Sequence, residues 1–127
     1  MIVLDASAAV EILLRTQAGV KIEARTLGAG EDIHAPHVID LEVAQALRRL
    51  AAGGTQVQAC RDALEDWMLF PVKRIPHDAL LPRIWELRAN FTAYDGAYIA
   101  LAELISAPLI TRDRKLKVGH KAKIEII

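Results

Sequence analysis

The chain has 127 residues, 53% of them hydrophobic and 25% charged, and its acidic and basic residues balance to a formal net charge of zero. That length suits one domain with one core, residues 1–127, and overall charge gives no pointer to nucleic acid. The single cysteine, Cys60, excludes an intrachain disulfide and a cysteine-rich zinc site; the N-terminus lacks the form of a signal peptide, and no apolar stretch reaches the roughly 18 residues of a membrane span, which together fit a reducing cytoplasm.

In chain order, Ile2–Leu4 is a short β-branched run and reads as a buried strand. Ser7 is placed to cap a helix through Ala8, Val10, Leu13 and Leu14, and Gly19 and Gly28–Gly30 punctuate a second helical segment through Val20, Ile22 and Leu27. Ile33–Ala35 reads as a strand stopped by Pro36. From Val38 to Ala52 the apolar spacing is helical, and Gly53-Gly54 ends it. Thr55 is placed to cap a helix through Val57, Leu64 and Trp67, and Phe70–Ile75 is a further strand. Asp78–Ala89 is helical with Pro82 in its first turn or at a kink. Thr92 opens a helix through Ile99, Leu101 and Leu104, and Pro108–Thr111 and Ile124–Ile127 complete the strands. Short apolar strands alternating with longer amphipathic helices predict parallel βαβ units, with helices over both faces of the sheet.

In such sheets ligands sit beyond the carboxyl ends of the strands. Asp5 follows the first strand and Asp113 follows the Pro108–Thr111 strand by two residues. Glu42 and Asp95 lie in the first turns of helices that begin at the same edge. Each acid alone has a local role to fill: Asp5 or Ser7 caps the first helix, Thr92 and Asp95 fit a capping box, Glu42 suits the positive end of its helix dipole, and Asp113 suits a turn. Together they would repel one another unless a cation neutralised them. Four oxygen donors without His or Cys suit Mg²⁺ or Mn²⁺ rather than zinc, and the dispersed His34, His37, His77 and His120 read as surface or packing residues. Between Arg112 and Lys123 a basic run, Arg112, Arg114, Lys115, Lys117, Lys121 and Lys123, is opposed only by Asp113. It reads either as a phosphate-attracting patch or as a solvated turn.

Four stretches carry a family resemblance: Val3-Leu4-Asp5-Ala6-Ser7-Ala8; Ala35-Pro36 with Asp40-Leu41-Glu42-Val43; Thr92-Ala93-Tyr94-Asp95-Gly96-Ala97-Tyr98; and Leu109-Ile110-Thr111-Arg112-Asp113. In these, over nearly the whole chain, the sequence resembles PIN-domain ribonucleases, particularly the VapC-type toxins of toxin–antitoxin pairs. The resemblance implies a three-layer α/β/α fold with a short, mostly parallel sheet. It implies that Asp5, Glu42, Asp95 and Asp113 hold one or two divalent cations, that the substrate is single-stranded RNA, that a cognate antitoxin wraps the toxin and occludes its site, and that the chain forms a homodimer. Gly96 stands where such proteins often carry Ala.

The resulting hypothesis is metal-assisted phosphodiester hydrolysis. Asp5 and Asp95 are first choice as direct ligands; Glu42 and Asp113 bind directly, hold metal waters or orient the nucleophile. Ser7, Thr111 and Asn90 are supporting candidates, and Arg112 and Arg114 are candidates to clamp the RNA backbone. Arg48 and Arg49 read as surface or partner contacts. The alternatives are an RNA-processing nuclease that is not a toxin, and a catalytically silent binding module. A phospho-aspartate on Asp5 fits poorly, because Ser7 stands where a second Asp is wanted.

Overall fold

The computed structural model describes residues 1–127. Strand β1 (Ile2–Leu4) is followed by helices α1 (Ala6–Leu13) and α2 (Gln17–Arg25), strand β2 (Ile33–Pro36), helices α3 (Ile39–Ala52) and α4 (Val57–Met68), and strand β3 (Val72–Ile75). Helices α5 (Leu81–Glu86) and α6 (Ala93–Leu104) lead to strands β4 (Leu109–Thr111) and β5 (Ile124–Ile126). All pairings are parallel, in the order β3-β2-β1-β4-β5. Central β1 is sealed on both faces, with Ile2, Val3 and Leu4 wholly buried. This is why it reads as an unbroken apolar run rather than an alternation. Helices α1 to α4 pack on one another, whereas α6 lies along β1, β2 and β4 with α5 against it, giving the expected α/β/α layers.

Local differences from the sequence reading have tertiary or capping causes. Of the two cap candidates for α1, Asp5 takes the role and Ser7 does not: the Asp5 backbone is extended (φ −92°, ψ 170°) and its side chain accepts from the Ala8 amide. Helix α4 starts after Gln56 with no side-chain cap, so Thr55 does not serve as one. The Asp78–Ala89 helix is shorter than its spacing predicts. It begins as a 3₁₀ turn at Asp78–Leu80, continues as α5 with Pro82 in its first turn, and stops at Glu86. The third strand starts at Val72 rather than Phe70.

Gly19 does not punctuate a helix. It lies inside α2, capped by Thr16, where α2 crosses α1 so closely that a Cβ on Gly19 would sit 2.0 Å from the Glu11 carbonyl oxygen. Side chains lock other elements. Asp40 on α3 accepts from the Trp67 indole at 2.7 Å and pairs with Arg74 at 2.9 Å, tying α3 to α4 and β3. Arg25 pairs with Glu125 at 2.9 Å, joining α2 to edge strand β5. Arg83 of α5 pairs with Glu103 of α6 at 2.7 Å.

Two glycine substitutions should separate in sign. Gly19→Ala forces backbone against backbone and is expected to destabilise by about 1–3 kcal/mol or more. At Gly96 an added methyl would rest 3.5 Å from Ile84 Cγ2, an ordinary contact. Gly96→Ala is expected to stabilise by about 0.5–1 kcal/mol through helix propensity. Urea denaturation of both variants measures this.

Candidate active site

The strand order places a topological switch at the centre of the sheet. From β1 the chain builds outward through β2 and β3, then returns to the other side of β1 as β4. The crevice between the carboxyl ends of β1 and β4 is where ligands bind in open parallel sheets. Asp5 leaves β1 there and Thr111 ends β4 there.

Asp5 is only 5% exposed. Its carboxylate accepts the Ser7 hydroxyl at 2.7 Å, the Ala8 amide at 3.0 Å and the Thr111 hydroxyl. Ser7 Oγ in turn accepts the Arg112 amide at 3.1 Å, and Thr111 Oγ1 accepts the Asp113 amide at 3.0 Å. Ser7 and Thr111 therefore form a cradle that fixes Asp5 and threads β1 to the turn after β4. Burial raises the Asp5 pKa above the ordinary carboxylate range; the three hydrogen bonds oppose the rise, and the charge of Asp95 adds to it.

Glu42, in the first turn of α3, is also raised, chiefly by burial and then by the charges of Asp95 and Asp5, with the Tyr98 phenol acting in the opposite direction. Asp95 lies one turn into α6, whose cap Thr92 accepts the Asp95 amide at 3.2 Å. Its pKa is raised by burial and by Asp113, and Thr92 and Lys115 counter the shift. Asp113 caps the 3₁₀ turn Arg114–Lys117 by accepting the Lys115 amide at 2.9 Å. Mutual repulsion thus links all four acids into one field, with Asp95 coupled to Asp5, Glu42 and Asp113 alike. None of the four forms an ion pair.

Two further atoms mark this region. Glu42 Oε1 and the Tyr98 hydroxyl are buried with no hydrogen-bond partner, a condition that costs about 1–3 kcal/mol per group. The phenol lies close enough to the carboxylate to act on it as a hydrogen-bond donor, in a contact that falls short of full hydrogen-bond geometry. The carboxylates do not close into a preassembled cage of three or more ligands. Uncompensated like charges hold such groups apart. An all-oxygen, partly buried set with no ion-pair partner, tempered only by the charge of Lys115 near Asp95, fits a hard divalent cation.

The other candidates divide. The Arg112 guanidinium turns away from the acids to the Ile127 carbonyl and to Glu11 at 3.8 Å. Arg114 is exposed and outside every ion pair, on the turn that follows Asp113. Asn90 follows α5, with its side-chain amide beside Gly119 rather than bonded to an acid. Arg48 lines a surface groove together with Glu42, Leu41 and Tyr94. No histidine joins the acids: His37 packs edge-on to His77, and His120 packs on Phe91. Lys115 and Tyr98 border the site; the sequence offered Lys115 only as part of the basic run and Tyr98 only within a family-like stretch, neither as a residue of the acidic site. The signal for Tyr98 was present, since Thr92, Asp95 and Tyr98 recur at three-residue spacing on one face of α6.

Comparison with known proteins gives concordant likenesses. The PIN domain family pattern matches residues 2–121. The chain is 44% identical to Ribonuclease VapC9 of Mycobacterium tuberculosis over 127 residues, covering 99% of this chain and 96% of the relative. It is 42% identical to Ribonuclease VapC12 of the same organism over 132 residues, covering 100% of this chain and 99% of that one. Among solved structures, VapBC2 of Rickettsia felis bound to a DNA fragment from their promoter superposes with a TM-score of 0.71 at 17% identity, covering 98% of both chains; at that identity the likeness concerns the fold.

The raised carboxylates set the pH dependence of stability without divalent cation. Asp5, Glu42 and Asp95 hold protons more tightly folded than unfolded, so the folded chain binds more protons above the ordinary carboxylate range near 4. Their contribution is present at low pH and is lost as pH rises through the raised values. With chelator present, Asp5→Asn is expected to raise the urea midpoint at pH 7.5, and this gain should shrink towards pH 4.5. A gain that grew on acidification would contradict the assignment of burial as the dominant cause.

Proposed function

The chain belongs to the PIN-domain family and to its VapC ribonucleases, the toxin members of toxin–antitoxin pairs, and from that premise we propose that Asp5, Glu42, Asp95 and Asp113 carry its RNA-cleaving chemistry with Mg²⁺ or Mn²⁺. The observation that supports this placement is the set of four carboxylates, none of them in an ion pair, around the switch-point crevice. Membership among ribonucleases at 44% identity over the full length disposes of the silent binding module.

Asp5 and Asp95 are our first choice as direct cation ligands, completed by Glu42 and Asp113; one or two ions are compatible with this set. When bound, the cation supplies charge neutralisation at the scissile phosphate and activation of water. The chain's own part is to hold and orient. Ser7, Thr111 and the Ala8 amide fix the Asp5 carboxylate so that it does not swing when charge arrives. Glu42, whose Oε1 is unbonded and whose side chain borders an open groove, is suited to hold a metal water or orient the attacking water. In-line attack at phosphorus then breaks the P–O bond to the leaving nucleotide. Arg114, Lys115 and Lys117, on the turn after Asp113, give the RNA backbone a cationic edge beside the acids.

VapC toxins pair with VapB antitoxins, and we propose that the cognate antitoxin of this chain covers the acidic crevice and that two copies of the chain associate. Exposed Leu41, Leu81, Trp85 and Tyr94 supply apolar surface of the kind such contacts cover. No helix is long and apolar enough to cross a membrane; we assign action to the cytoplasm, where buried Cys60 stays reduced.

Purified toxin is expected to cleave single-stranded RNA with Mg²⁺ or Mn²⁺ and to stop with chelator. Asp5→Asn and Asp95→Asn should each lower kcat/KM by about 10²-fold or more, beyond the usual cost of losing a group that only supports a ligand. Arg114→Ala should raise KM several-fold with little change in kcat, whereas Arg112→Ala should leave KM near that of the wild type. Chelator-resistant cleavage would sink the proposal.

A further inference from the structure

Of all the buried side-chain nitrogen and oxygen atoms in the protein, two lack a hydrogen-bond partner, and both lie at the same place: Glu42 Oε1 and the Tyr98 hydroxyl. Native structures satisfy nearly every buried polar group, so a coincident pair of exceptions calls for a reason. Tyr98 is 2% exposed, on the face of α6 that also carries Asp95 one turn earlier. Its oxygen lies close to the Glu42 carboxylate and beside the Ala6 amide. A phenylalanine would fill the same apolar space without the orphan. The hydroxyl therefore has a task that packing does not explain.

The two orphans answer one another. The phenol has a proton and no acceptor; Glu42 Oε1 has lone pairs and no donor. A phenol is neutral at working pH even at its ordinary pKa, so towards a carboxylate it acts only as a donor. We propose that Tyr98 is a positioning residue of the acidic site: its hydroxyl donates to Glu42 Oε1 in the working enzyme and leaves Oε2 as the oxygen turned to the cation or to the attacking water. The inference rests on the cation reading given above. The adjustment that closes the bond falls to Glu42, since Tyr98 is locked in the core while Glu42 borders an open groove lined by Val38, Leu41, Gln45, Arg48 and Tyr94. One face of α6 then serves the site three times, through its cap Thr92, the ligand Asp95 and the positioner Tyr98.

The test uses the full chain with Mn²⁺ as probe. Binding is measured by titration calorimetry for wild type, Tyr98→Phe, Glu42→Gln and the double variant, with thermal unfolding in chelator as the check on folding. Tyr98→Phe is expected to bind Mn²⁺ about tenfold more weakly, the usual cost of losing a group that orients a ligand, and to melt no lower than wild type without metal. In the Glu42→Gln background the same change should have no further effect. A second readout is cleavage at saturating Mn²⁺, where Tyr98→Phe should lower kcat and leave KM for RNA unchanged. Unaltered Mn²⁺ affinity and kcat in Tyr98→Phe, or an equal loss in both backgrounds, would overturn the positioning role while leaving the cation site standing. Failure of wild type to bind Mn²⁺ would overturn the cation site, and the role of Tyr98 with it.

Discussion

Burying a carboxylate at the end of the central strand is the constraint around which this structure is arranged. Asp5 sits where β1 gives way to α1, between the wholly buried run Ile2–Leu4 and wholly buried Ala8, and is itself buried. An ion in such a position is unfavourable unless its oxygens are bonded. Both oxygens are: Ser7 and the Ala8 amide serve Oδ1, and Thr111 serves Oδ2. Thr111 can reach Asp5 only because β4 lies directly beside β1, with Leu4 in register with Ile110. That adjacency is a product of the crossover from β3 past β2 and β1. The topology of the sheet and the solvation of one side chain are therefore one problem with one solution.

The parts of this arrangement legible in the sequence are those set by local chemistry. The β1 and β4 runs announce buried strands, and Thr92 with Asp95 three residues on announces a helix start at the strand-end edge. Once the βα alternation is granted, four acids fall at one edge of a parallel sheet. What was not legible depends on neighbours distant in the chain. Gly19 looks like punctuation until α1 is seen pressed against it. Ser7 looks like a cap, and the extended backbone at Asp5 hands that task to Asp5, freeing the serine hydroxyl for the carboxylate. Arg112 flanks an acid in sequence, yet the strand twist and the Ile127 carbonyl carry its guanidinium to another surface. Tyr98 reads as core, which it is; that its hydroxyl is left over appears only once Glu42 is placed.

The four acids differ in how firmly they are held, and this bears on how they divide the work. Asp5 is fixed by three bonds and by burial. Asp95 is half-buried, with its backbone pinned by the Thr92 cap. Asp113 spends one oxygen on the Lys115 amide at the start of a short 3₁₀ turn. Glu42 has the longest side chain, an orphan oxygen and an open groove on its outer side. A rigid carboxylate is suited to define where a cation sits, because its geometry need not be reorganised when charge arrives. A mobile one is suited to follow a proton or a water molecule through the reaction. Restraint falls from Asp5 through Asp95 to Glu42, and the same order argues for anchoring at the first two and for motion at the third. Repulsion enforces the distinction. Were all four acids equally rigid and equally close, the protein without cation would carry the full strain of their charges; leaving Glu42 and Asp113 latitude lets the cluster spread, and it is this latitude that the proposed cation would take up.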